Sequence, residues 1–168
     1  LGNTVPDAPM LFIKPATALV ALDRPLGLPG FSEDVHHEVE LAVLIGHILR
    51  DTNAAAVVPA VAGLGVAVDL TARDVQANLK KKGHPWEIAK GFDGACPVSP
   101  FDAPETFADW QDISLSLTVN GELRQSGNTR DMVFGIADLV AYMSRYFTLL
   151  PGDLVLTGTP SGVGPVEA

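Results

Sequence analysis

Two glutamates inside an apolar run constrain this chain more than any other feature. The run is His36-His37-Glu38-Val39-Glu40-Leu41-Ala42-Val43-Leu44-Ile45. It reads as a β-strand, in which successive side chains alternate between faces. His36, Glu38 and Glu40 then share one face, and Val39, Leu41 and Val43 share the other. Adjacent carboxylates repel, and burying them unpaired is costly. A divalent cation removes both penalties at once. An edge strand with one wet face is the other reading of the same pattern.

The 168 residues fit one domain, and a hydrophobic fraction of 47% with 18% charged residues supports a real core. No stretch reaches the ~20 apolar residues of a membrane span; Ala54 to Ala67, for example, is broken by Pro59 and Gly63. No membrane partner is therefore expected. A net charge of -9 argues against nucleic acid, whose binding needs a basic stripe. The one basic run, Lys80-Lys81-Lys82, precedes Gly83 and reads as a helix end, where cations suit the dipole and glycine supplies a left-handed cap. The single cysteine, Cys96, excludes an intrachain disulfide. It reads as a small buried hydrophobe in a reducing compartment, and a cytoplasmic location is expected.

Short strands are expected at Met10–Ile13 and Ala18–Leu22, and the acidic strand over Val35–Ile45. Asp51-Thr52-Asn53 can cap a short helix from Ala54 to Ala62, bent by Pro59. Gly65–Leu70 reads as a strand ending near Asp69. Thr71-Ala72-Arg73-Asp74 reads as a capping box opening a helix through Lys82. Gly91–Asp102 reads as loop. Asn120-Gly121 between Ile113–Val119 and Glu122–Gln125 predicts a hairpin with a type I′ turn. Asn128 or Thr129 is expected to cap a helix carrying Val133, Ile136, Val140, Met143 and Phe147. Leu154–Leu156 is a strand, followed by a glycine-rich loop from Thr157 to Pro165.

Glu38, Glu40 and Asp69 are hard oxygen ligands suited to Mg²⁺, Mn²⁺ or Ca²⁺. Zinc is disfavoured, because no Cys lies near and His36 and His37 point to opposite strand faces. Arg73 and Gln76, three apart, share a helix face just beyond Asp69. A cation there suggests an anionic substrate; pairing of Arg73 with Asp74 or Glu87 is the plainer reading. Lys90, taken alone, reads as a surface lysine. The Thr157–Gly164 loop can offer backbone N–H groups to a carboxylate but lacks the P-loop lysine spacing.

Taken together, Leu11-Phe12-Ile13-Lys14-Pro15, His36-His37-Glu38-Val39-Glu40-Leu41, Asp69-Leu70-Thr71-Ala72-Arg73-Asp74-Val75-Gln76, Pro85-Trp86 with Ala89-Lys90, and Leu156-Thr157-Gly158-Thr159-Pro160 with Gly162-Val163-Gly164-Pro165 resemble the fumarylacetoacetate hydrolase superfamily. The likeness is strongest to its small acylpyruvase and fumarylpyruvate hydrolase members. It implies a mixed α+β, mostly β fold, a β-roll around a metal, as a single catalytic domain over residues 1–168 and usually a homodimer. It implies Mg²⁺ or Mn²⁺ on Glu38, Glu40 and Asp69, Lys90 as the catalytic residue, and Arg73, Gln76 and Thr159 as substrate contacts.

The resemblance also places an N-Y-x-x-H-x-x-E segment, a lid bearing a water-activating His-Glu dyad, ahead of Leu1. The expectation is that the sequence lacks this lid and its C-terminal end. The function so implied is metal-dependent cleavage of a carbon–carbon bond in acylpyruvate-type 2,4-dioxo acids, the partner being a small anionic 2-oxo acid. Rival readings are oxaloacetate decarboxylation or tautomerisation, isomerisation of a dienoic diacid, and a non-catalytic protein that binds metal and dicarboxylate.

Overall fold

The acidic run changes sheets in its middle. In the computed structural model, which describes residues 7–166, the run forms two strands, with Glu38 in neither. In chain order the elements are β1 (Leu19–Ala21), β2 (Val35–His37), β3 (Val39–Ile45), α1 (Ala54–Val57), β4 (Val61–Val68), β5 (Thr71–Ala72), α2 (Arg73–Lys82), α3 (Glu87–Lys90), β6 (Cys96–Val98), β7 (Ser114–Val119), β8 (Glu122–Asn128), α4 (Ile136–Ser144), β9 (Leu154–Leu156) and β10 (Gly164–Pro165). The fold is mixed α+β and mostly strand, as expected from the sequence.

The largest sheet has the order β1-β6-β4-β3-β9, a smaller one β10-β2-β5, and β7-β8 stand as a hairpin. Val39 faces Val68 across β3 and β4, and His36 faces Thr71 across β2 and β5. The two ladders share one register from Val35 to Leu44. Residues 35–45 and 61–72 therefore form one antiparallel ribbon, which shifts register between Leu44 and Ile45 and is interrupted at Glu38 and at Asp69-Leu70, where it passes from one sheet to the other. The interruption builds the site.

Strand alternation holds on β3. Leu41, Val43 and Ile45 enter a core with Val57 of α1 and Ile136, Val140 and Ala141 of α4. Each of the buried Leu, Val and Ile side chains contributes about 1.5–3 kcal/mol. Ala42, on the opposite face, joins Val35, Ala67, Leu70, Ala95 and Cys96 in a second cluster of smaller side chains. The Asn120-Gly121 hairpin forms as expected, with φ of 52° and 82° at the two turn residues. Gly83 closes α2 at φ 64°, its N–H reaching the Leu79 and Lys80 carbonyls.

Several elements differ from the sequence reading. Met10–Ile13 forms no strand, because no ladder partner lies beside it among the described residues; Met10 and Ile13 are exposed. Gly91–Asp102 is not all loop: β6 pairs in parallel with β1, and Pro97 disguised it as a turn. The helix after Asn53 is one turn, capped by Asn53 Oδ1, and a 3₁₀ turn ends it at Ala60. The capping box does not form, because Ala72 is the N-cap and the Thr71 hydroxyl turns to Glu38 instead. Asn128 caps a single 3₁₀ turn, and α4 starts only at Ile136, leaving Val133 and Phe147 exposed outside it.

The glycine-rich loop after β9 is seated on β8. At Gly162, with φ 97°, a Cβ would run into the Arg124 carbonyl oxygen. Both the backbone conformation and the contact require glycine. Gly162→Ala is expected to lower the urea midpoint by an amount equivalent to about 1–3 kcal/mol and to move Thr159 with the loop. An unchanged midpoint would show that the loop is not held here.

Candidate active site

The ribbon register sets the geometry. Asp69 N–H donates to the Glu38 carbonyl at 2.8 Å, and Glu40 faces Ala67. Residues 38, 40, 67 and 69 thus meet on one face, and the small Ala67 side chain leaves room between the acids. Glu38, Glu40 and Asp69 are all buried, and one carboxylate oxygen from each lies within 4.8 Å of the others. The common face of Glu38 and Glu40 is as the alternation indicated. His36 leaves the cluster: its Nε2 lies 2.9 Å from Asp34 Oδ1.

Three cations face these acids. Lys90, 2% exposed, donates from Nζ to Glu38 Oε2 at 2.9 Å and to Asp69 Oδ2 at 2.5 Å. It is therefore not a surface lysine. The single turn of α3 delivers it inward, and the Phe12 ring covers its ammonium at 5.0 Å. Arg73 Nη2 donates to Glu38 Oε1 at 2.6 Å, and its Nη1 to Gln76 Oε1 at 2.8 Å. Arg73 thus pairs with neither Asp74 nor Glu87; Asp74 instead takes the Ser32 hydroxyl at 2.6 Å. Gln76 is buried beside Arg73. Lys14 Nζ lies 2.8 Å from Asp69 Oδ1, without the alignment of a hydrogen bond, and donates to the Lys90 and Ala95 carbonyls.

Glu40 is held differently. Its Oε2 accepts the Gly158 N–H at 2.5 Å, so the glycine-rich loop does present a backbone donor to a carboxylate, but to the protein's own. Thr159, half-buried, accepts from Gln125 Nε2 at 2.8 Å. Lys14 and Gln125 were missed from sequence. Lys14 belongs to a motif but has no acid near it in the chain, and Gln125 lies on an otherwise exposed hairpin strand.

The acids divide electrically. Burial raises the Glu38 pKa, but Lys90 and Arg73 outweigh it and hold the carboxyl below its ordinary range. Burial, and then the neighbouring Asp69, push Glu40 up to about 8, against the Gly158 N–H and Lys90. In the metal-free protein Glu40 thus takes up a proton on folding near neutral pH. A carboxyl whose folded pKa lies above its unfolded value stabilises most below the unfolded pKa and loses that contribution as pH rises toward the folded one. EDTA-treated protein is therefore expected to lose thermal stability between pH 5 and pH 8 relative to Glu40→Gln. Parallel melting curves for the two proteins would refute this.

The donor set is oxygen only, and Asp69 Oδ1 lacks an aligned hydrogen bond. That fits Mg²⁺, Mn²⁺ or Ca²⁺. Cys96 is no rival ligand or nucleophile, since burial pushes its thiol up to about 11.

Residues 2–168 match the family described as fumarylacetoacetate (FAA) hydrolase, C-terminal. The chain is 57% identical to oxaloacetate tautomerase YcgM of Escherichia coli (strain K12), covering 100% of this chain and 77% of that protein. It is 47% identical to the mitochondrial oxaloacetate tautomerase FAHD1 of Bos taurus, over 99% of this chain and 76% of that protein. Among solved structures, a fumarylacetoacetate hydrolase family protein from Yersinia pestis CO92 superposes with a TM-score of 0.96 at 55% identity, over 99% of this chain and 77% of that one. A fumarylpyruvate hydrolase from Pseudomonas aeruginosa, in complex with Mn²⁺ and pyruvate, superposes with a TM-score of 0.89 at 39% identity, over 96% and 71%.

These likenesses overturn the acylpyruvate hydrolase expectation. The oxaloacetate tautomerases of Escherichia coli and Bos taurus stand at 57% and 47% identity, whereas the fumarylpyruvate hydrolase stands at 39%. The motifs identify the family, whose members carry both names, and so do not choose between the two activities.

Proposed function

The chain belongs to the fumarylacetoacetate hydrolase family, and on that premise we propose that it interconverts the enol and keto forms of oxaloacetate. The observation that carries this reading is Lys90: a buried ammonium bridging two of three clustered acids. Likeness to two oxaloacetate tautomerases supports the substrate.

Tautomerisation moves a proton between C3 and the oxygen on C2, through an enolate-like transition state. Glu38, Glu40 and Asp69 would hold a Mg²⁺ or Mn²⁺ ion, which when bound supplies Lewis acidity for the developing enolate. In the enol-to-keto direction the Lys90 ammonium gives a proton to C3 while the enol O–H proton leaves to solvent water, and the amine so formed is reprotonated from water; the reverse direction reverses both transfers, and Glu38 and Asp69 hold Nζ in place. Arg73, with its guanidinium fixed by Gln76 and Glu38, attracts a substrate carboxylate, and the Thr159 hydroxyl binds a carboxylate from the loop side. Lys14, Arg73 and Lys90 offset three acids locally, so a small dianion meets no net repulsion despite the chain's overall charge of -9.

The test follows the enol absorbance of oxaloacetate after dilution from an enol-rich solvent. Protein with Mg²⁺ or Mn²⁺ is expected to accelerate its loss without forming pyruvate, and EDTA is expected to abolish the acceleration. Pyruvate appearing at the rate of enol loss would overturn tautomerisation in favour of decarboxylation.

A further inference from the structure

Resting on the reading of Thr159 as a carboxylate contact, we propose that Gln125 is a positioning residue that fixes the Thr159 hydroxyl as a donor toward substrate. Gln125 is fully buried, the one buried residue on an otherwise open strand β8. A polar side chain is costly there unless all its groups are matched.

They are matched in one orientation only. Val39 N–H can only donate, and it points at Gln125 Oε1 from 3.0 Å. The Pro160 carbonyl can only accept, and it lies 3.1 Å from Gln125 Nε2. These two backbone groups settle which end of the amide is oxygen. His37 Nδ1, 2.9 Å from the same Oε1, must then carry its hydrogen.

The consequence falls on Thr159. Gln125 Nε2 has hydrogens to give and no lone pair to offer, and it lies 2.8 Å from Thr159 Oγ1. The threonine oxygen therefore accepts, and its single proton is directed away from Gln125. Thr157, two residues earlier, shows the contrast: its hydroxyl proton is spent on the Leu41 carbonyl at 2.9 Å. One threonine of the loop anchors it, and the other is kept as a donor for an anion.

The probe is oxalate, a planar dianion that mimics a 2-oxo acid, titrated by calorimetry into protein saturated with Mg²⁺. Thr159→Val is expected to weaken oxalate about tenfold, the range of one hydrogen bond to a charged group, with Thr159→Ser within twofold of wild type. Gln125→Met is expected to weaken oxalate severalfold in the wild-type background and less than twofold in the Thr159→Val background. An equal loss in both backgrounds would make Gln125 merely structural and overturn the proposal, while the reading of Thr159 would stand. If instead Thr159→Val binds oxalate normally, the reading of Thr159 itself fails. A measurement that needs no Gln125 variant is the side-chain amide resonance of Gln125. It is expected to shift on oxalate addition in wild type and to stay still in Thr159→Val; no shift in wild type would also overturn the proposal.

Discussion

Lys90→Met is expected to slow enol–keto interconversion of oxaloacetate by about 10²–10⁴-fold, the contribution of a positioned proton-transfer group. Methionine keeps most of the unbranched stem and removes only the ammonium. The ammonium bridges Glu38 Oε2 and Asp69 Oδ2, at 2.9 and 2.5 Å, in a position 2% exposed. Its loss leaves two buried acids short of a cation, so the metal-free variant is also expected to lose about 3–5 kcal/mol of stability in urea. Mn²⁺ supplies positive charge to the same acids and is expected to raise the variant's melting temperature more than the wild type's. A variant that keeps wild-type turnover would remove Lys90 from the chemistry, and one that melts like wild type without metal would refute the electrostatic account.

Asp69→Asn is expected to weaken Mn²⁺ binding by roughly a hundredfold or more, exceeding the 10–100-fold typical of losing an outer-shell partner. Asparagine preserves shape but removes the charge. Asp69 lies at the ribbon interruption, with Lys14 on one oxygen and Lys90 on the other. Isothermal titration of EDTA-stripped protein measures the effect. The same substitution removes one of the two acids that push Glu40 upward, so the pH dependence of metal-free stability should flatten as well. Mn²⁺ affinity within a few-fold of wild type would show that Asp69 is not a ligand.

Alternation along residues 38–40 was enough to put two acids on one face, because β3 keeps the period of two on the side of Leu41, Val43 and Ile45. The ribbon register was not legible. It depends on pairing residues 35–45 with 61–72, and only that pairing brings Asp69 opposite Glu38. Lys90 looked like a surface lysine because its acids lie 52 and 21 residues away along the chain. The Asn120-Gly121 hairpin was readable because a type I′ turn is local chemistry. Strand β6 was not, because Pro97 reads as a turn signal and its parallel partner, β1, lies far away along the chain. Thr71 was assigned to a helix cap by its spacing from Asp74, yet its hydroxyl serves Glu38. A buried acid outcompetes a solvated helix end for the same donor.

Crystals grown without divalent metal, then soaked in Mn²⁺ and oxalate and measured for anomalous scattering, test the central claim most directly. The account predicts one strong peak bound by carboxylate oxygens of Glu38, Glu40 and Asp69, with oxalate completing the coordination and reaching toward Thr159 and Arg73. No peak among these three acids, or a peak held by residues elsewhere while activity still depends on the metal, would contradict it.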